Sequence, residues 1–331
     1  MDSRERVVRT IEFNHADRIP VQSWCLWSTF LKYGSRLDEI VKAYDNDFYI
    51  PEYSDNLSGE KFLTRGTMTD AWGCVWLNLQ EGATGEVKEF PLTDYSKIAH
   101  YKSPKAYLKE GWENVDSSIE KNRDKFILTP WTINIFERMQ FLRGTENLLM
   151  DLAEDSCEVR LLRDIVYDFY SEWLKRWLER DVDGVIFSDD WGTQNSLIVS
   201  PGIFRSFFKP MYKELMSRSK EKGKYVFFHS DGNILGIMDD LLEVGVDAVN
   251  CQTAVIGIDI LSEKYRGKVT FWGETDRQGI LPFGTPAEVY ESIKYLKSRL
   301  TCNKGGLIGV CAAGAECPLE NIRMSFTGWN V

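Results

Sequence analysis

The chain has 331 residues and a formal net charge of −10 with no basic tract, which argues against nucleic acid and anionic membrane as partners. Hydrophobic residues make up 43%, enough for one large α/β domain or two small ones, and no run approaches the length of a membrane span. The seven cysteines lack framework spacing and the start, Met-Asp-Ser-Arg-Glu-Arg, has no apolar leader, so reduced thiols and a cytoplasmic location are expected.

Taken in order, residues 3–13 form a short helix through Val7, Val8, Ile11 and Phe13. A turn at Asp17-Arg18-Ile19-Pro20 leads into a first strand over 21–24, a helix over 37–44 and a second strand over 48–51. Residues 66–77 and 86–90 are β-like and joined by a Gly-containing loop. They are expected to form a hairpin outside the main sheet, within an insertion spanning about 54–100. A helix over 106–123, a third strand over 126–131, helices over 135–142, 146–153 and 156–178, and a fourth strand over 185–187 follow. After a helical stretch over 201–222 come four apolar runs, 225–228, 246–250, 269–272 and 307–310, with helices over 235–244, 258–265 and 286–300 between them. Eight strands mostly alternating with helices predict a (β/α)8 TIM barrel in one domain covering 1–331. No Gly-x-Gly-x-x-Gly follows a strand, so a dinucleotide fold has no support.

Each of the last four runs ends at a residue able to bind a metal or move a proton: His229, Cys251, Glu274 and Cys311. Their spacing of roughly 20 to 40 residues is that of successive βα units, so parallel strands would bring all four to one rim. The bland reading of each is a buried thiol, a histidine satisfied by a carbonyl, or an ion pair of Glu274 with Arg277. The polar string His229-Ser-Asp-Gly-Asn has little packing value, which favours a functional histidine. Asp231 is a ligand, a carboxylate orienting His229, or a helix cap. Asp189 and Asp190 are adjacent like charges at a strand end, costly unless used, and are acid, base or substrate-binding candidates beside Gln194. Trp24, Trp27 and Trp131 also fall at strand ends, as cavity walls, and Asn250 ends the sixth strand as a substrate contact.

Several segments together resemble the uroporphyrinogen-decarboxylase-like superfamily over nearly the whole chain. They are Arg6-Val-Val-Arg-Thr-Ile-Glu-Phe-Asn-His-Ala-Asp-Arg-Ile-Pro-Val, Arg143-Gly-Thr-Glu-Asn-Leu-Leu-Met-Asp-Leu, residues 189–194 and 229–233, and Cys317-Pro-Leu-Glu-Asn-Ile. The resemblance implies a (β/α)8 barrel. True decarboxylases of the superfamily carry an arginine-rich motif after the first strand that pairs with substrate carboxylates. Here that place reads Gln22-Ser-Trp-Cys-Leu-Trp-Ser-Thr-Phe, without arginine, so a porphyrinogen substrate is not expected.

The other arm of the superfamily comprises zinc-dependent, corrinoid-linked methyltransferases, many with His-x-Cys at the fifth strand and Cys at the eighth. His229 and Cys311 match that pattern, and Asp231 stands where a cysteine is usual. The resemblance therefore implies zinc held by His229, Cys251, Glu274 and Cys311, with Asp189, Asp190 and Glu274 as catalytic groups. Trp24, Trp131, Asp190, Gln194 and Asn250 would contact a small methylated substrate, an aryl methyl ether in the first instance. The methyl acceptor or donor would be a corrinoid on a separate protein. A metal-free lyase acting on a smaller acid is the alternative, and a barrel that only binds a ligand or partner is a third reading.

Overall fold

The computed structural model describes the chain except residues 45, 55, 56, 59–61, 131, 132 and 331, and leaves out the side chains of Glu274, Ala312 and Asn330. Its strands in order are β1 (Val21–Cys25), β2 (Phe48–Tyr49), β3 (Gly66–Thr69), β4 (Val75–Asn78), β5 (Glu86–Glu89) and β6 (Phe126–Ile127). There follow β7 (Gly184–Ser188), β8 (Tyr225–Ser230), β9 (Ala248–Cys251), β10 (Thr270–Glu274) and β11 (Leu307–Ala313). Six of them form one curled parallel sheet in the order β1-β11-β10-β9-β8-β7, and β2 pairs with β6 in parallel. Backbone bonds reach across both gaps between these sheets. Asp47 N–H donates to Val21 O at 2.9 Å, and Asp183 N–H to Ile127 O at 2.8 Å.

Alternation along the strands sorts side chains into two layers. Phe227, Ala248, Trp272, Ile308 and Val310 pack inside the curl with Phe48, Phe126 and Ile186. Val226, Phe228, Val249, Phe271 and Leu307 face the surrounding helices. Val7 and Ile11 of the helix Ser3–Ile11 join the inner layer. Arg6 of that helix and Arg18 both bond the buried Asp47 carboxylate, which also accepts from Val21 N–H at 2.8 Å. The inner apolar layer thus lies below the C-terminal strand ends, where the polar side chains collect.

Two local expectations differ from what is observed. Residues 66–77 are not one strand: Asp70 accepts from the Trp72 and Cys74 amides, both at 2.9 Å, turning the chain so that β3, β4 and β5 make a three-stranded antiparallel sheet. The helix expected over 106–123 is split into a 3-10 turn, Lys105–Lys109, and an α-helix, Val115–Lys121. Gly111 between them has φ +79°, and a side chain there would strike Ser54 O at 2.2 Å. A helix over Trp27–Tyr33 was not anticipated. Among the described residues, no helix is long and apolar enough to cross a membrane.

Candidate functional site

His229 shares the inner face of β8 with Tyr225 and Phe227, and Asn250 shares that of β9 with Ala248. The two are in register across the ladder. Asn250 Nδ2 donates to the Trp272 carbonyl, so its Oδ1 faces His229 Nδ1. That oxygen only accepts, so Nδ1 donates to it, and Nε2 is the ring nitrogen turned toward the two carboxylates. Nε2 lies 3.6 Å from Asp190 Oδ1 and 3.7 Å from Asp231 Oδ1. Trp272 is itself anchored, its Nε1 donating to Gln22 Oε1 at 2.6 Å.

The loops that carry the two carboxylates are joined largely by main-chain groups. Asp189 N–H donates to His229 O at 3.1 Å, Gly192 N–H to Asp231 O at 3.2 Å, and Asn233 N–H to Thr193 O at 2.7 Å. Asp231 N–H donates to Asp190 Oδ1 at 2.8 Å. Gly192 and Gly232 pack main chain on main chain: a Cβ on Gly192 would lie 2.4 Å from Asn233 N, and one on Gly232 2.2 Å from Gly192 C. Trp191, fully buried, stacks on Phe136 at 4.3 Å and fixes the loop from beneath. Arg277 donates to Asp231 Oδ1. Burial, reinforced by the Asp231 charge, raises the Asp190 carboxyl above its ordinary value, while His229 and Arg277 pull it down.

Asp190, His229 and Asp231 place three donor atoms within 4.8 Å of one another, the one such cluster among the described residues. Among the described residues, the cysteines expected as ligands do not join this cluster. Cys251 follows Val249 and Cys311 follows Gly309 on the helix-facing side of the sheet, where both pack into the outer apolar layer. Burial pushes the Cys311 thiol well above its ordinary value. Glu274 ends β10 opposite Val310, but its side chain lies outside the described residues, as does Trp131.

Asp189, a catalytic candidate by sequence, is placed among three hydrogen-bond donors. It is fully buried and accepts from Phe136 N–H at 2.9 Å, Glu137 N–H at 2.8 Å and the Tyr212 hydroxyl. It holds the start of the helix Ile135–Arg143 against the end of β7. Asn250 orients the imidazole. Gln194 is exposed and donates to Gln278 Oε1 at 2.8 Å, and Gln278 lines the same cavity as Asp231 and Arg277. Trp24 does reach the site: it lines a recess with His229, Asn250 and Arg277, and a neighbouring cavity of about 230 Å³ with Asp231 and Gln252.

One participant went unseen in the sequence. Glu137 sits in the first turn of its helix, and burial, with the Asp190 and Asp189 charges, pushes it up to about 8. The signal was an ionisable pair, Glu137-Arg138, inside the apolar string Ile-Phe-Glu-Arg-Met.

A family model for uroporphyrinogen decarboxylase (URO-D) matches residues 67–324. The chain belongs to the URO-D family. No curated protein matches this URO-D chain by sequence. Among solved structures, a methyltransferase from Methanosarcina mazei superposes with a TM-score of 0.75 at 14% identity, covering 100% of this chain and 98% of its own, a likeness of fold. The C-terminal domain of a putative chitinase from Desulfitobacterium hafniense DCB-2 gives a TM-score of 0.29 at 12% identity, covering 86% of this chain and 63% of its own. A Group IV chitinase from Ostrinia furnacalis gives 0.32 at 14% identity, covering 72% and 51%. Neither chitinase carries weight.

Proposed function

We propose that the eight parallel strands close as a (β/α)8 barrel in one domain carrying the β3–β5 sheet as an insertion. We propose further that the chain is a methyltransferase moving a methyl group between a small methylated compound, an aryl methyl ether in the first instance, and a corrinoid on a separate protein. The observation that carries the reading is His229 Nε2, held by Asn250 and facing two carboxylates at a strand end. The fold shared with the M. mazei methyltransferase supports it, as does the lack of arginine over residues 22–30.

The cluster suits a zinc ion. Ligands around tetrahedral zinc stand about 3.4 Å apart for bonds of about 2.1 Å, close to the 3.6 and 3.7 Å seen between Nε2 and the two Oδ1 atoms. His229, Asp190 and Asp231 would hold it, leaving a fourth position for substrate. A zinc ion there supplies Lewis acidity toward the substrate's heteroatom, which makes an alkoxide or phenoxide a better leaving group. The protein's own share is orientation. Asn250 fixes the imidazole tautomer, Arg277 holds the Asp231 carboxylate, and Trp24 walls the approach.

The test is metal content by elemental mass spectrometry on protein purified without chelator or nickel, then methyl transfer from methoxyarenes to free cob(I)alamin. About one zinc per chain, lost in His229→Ala, with transfer stopped by chelator and restored by zinc, is expected. Turnover of a small acid in chelator, with no corrinoid present, would replace this reading with a metal-free lyase.

A further inference from the structure

The oxygen that Asp231 turns toward the cluster is already in use. Asp231 Oδ1 lies 3.7 Å from His229 Nε2, and the same atom accepts from Arg277 Nη2. The charge of Arg277 reaches the Asp190 carboxylate as well. One guanidinium thus supplies positive charge to both acidic side chains of the cluster.

The main chain fixes where that guanidinium starts from. Arg277 follows β10 in a turn held by Asp276, whose carboxylate accepts from the amides of Gln278 at 2.9 Å, Gly279 at 3.1 Å and Ile280 at 3.4 Å. A change of position at 277 therefore falls to the side chain. That side chain borders two spaces. It lines the recess with Trp24, His229 and Asn250, and also the cavity of about 230 Å³ with Trp24, Leu26 and Gln252. It is 25% exposed, so a turn from the first space to the second does not open the core.

Charge decides between the two positions. A zinc ion on Oδ1 would stand about 2.1 Å from that atom, and a guanidinium nitrogen bonded to it about 2.8 Å, which leaves the two cations about 4 Å apart. At that range the repulsion between a divalent ion and a guanidinium exceeds what one charge-assisted hydrogen bond returns.

We propose that Arg277 competes with a divalent metal ion for Asp231 Oδ1, and that loading the cluster turns its guanidinium into the cavity beside Trp24 and Leu26. Arg277 is then a positioning residue with two settings. It lowers the affinity of the cluster for the ion, and after loading it stands on the side from which a small substrate enters. The inference rests on the zinc reading of the cluster and goes beyond it, because it makes metal loading and the charge of the neighbouring cavity one event.

The test is the zinc affinity of the full chain, by competition with a chromophoric chelator, in the parent, Arg277→Gln and Arg277→Lys. Arg277→Gln removes the charge and should bind zinc about 10- to 100-fold more tightly. Arg277→Lys keeps the charge and should stay near the parent. A residue that only braced the carboxylate would give the opposite sign, with zinc weakened in Arg277→Gln. Weaker or equal affinity in Arg277→Gln, or the same gain in Arg277→Lys, would overturn the proposal. A crystal structure of the parent soaked with zinc decides the matter if Arg277→Gln fails to fold. Arg277 Nη2 is expected off Asp231 Oδ1 and in the cavity, and a bond retained on the oxygen that binds zinc would overturn the proposal. Zinc taken up by neither parent nor variant would remove the zinc reading and this inference together. Zinc bound equally by parent and Arg277→Gln would remove the inference alone.

Discussion

Glu137 makes the stability of the fold depend on pH in a direction that can be worked out. An unfolded chain releases this proton near pH 4.3, whereas the folded chain keeps it to about 8. Between those values the unfolded state binds fewer protons, so stability falls as pH rises, and the loss is complete above the folded value. Each unit in the window is worth about 1.4 kcal/mol, which bounds the whole contribution at about 5 kcal/mol. Glu137→Gln keeps the shape and an oxygen for Asn134 Nδ2, which now lies 3.4 Å from Oε2, but has no proton to lose. Urea unfolding followed by circular dichroism at pH 5, 6, 7 and 8 should show the variant gaining on the parent with each step. Asp189, raised by burial to about 7, adds a slope of the same sign in both proteins, so the variant's own curve still declines. Parallel curves, with a constant difference across the range, would refute the argument and show Glu137 ionised throughout.

Other outcomes follow from the cluster. Asn250→Ala should weaken zinc binding about 10- to 100-fold in a competition titration with a chromophoric chelator, because the imidazole loses its tautomer lock. Cys251→Ser and Cys311→Ser should leave metal content unchanged and cost about 1–3 kcal/mol in urea unfolding by burying a hydroxyl, opposite to what strand-end ligands would do. Asp189→Ala should destabilise by about 2–4 kcal/mol, since two helix amides and the Tyr212 hydroxyl lose their acceptor. Gly192→Ala should cost about 1–3 kcal/mol and also lower zinc affinity, read in the same two assays.

Much of the fold was legible because the strands are short, apolar and separated by helical spacing, and the family resemblance rested on segments spread along the chain. The β3–β5 sheet was half read: the turn at Asp70 depends on one side chain bonding two amides, which a run of β-formers conceals. At the site, His229, Asp190 and Asp231 stood out as polar residues with no packing use. A strand end has two faces, and the cysteines fall on the outer one. Ala248 and Asn250 share one face of β9, Val249 and Cys251 the other, and a shift of a single residue separates an imidazole partner from a buried thiol. Counting parity from the apolar positions would have chosen Asn250. Arg277 was seen only as a mate for Glu274, and its bond to Asp231 joins segments far apart in the chain.

The main-chain contact between Gly192 and Gly232 has a consequence for descent. Loops at strand ends ordinarily diverge by small independent steps, but here neither can accept a side chain without displacing the other. The loops that carry Asp190 and Asp231 must therefore be inherited as one piece. New specificity would be sought outside these two loops, where substitutions leave the donor atoms where they are.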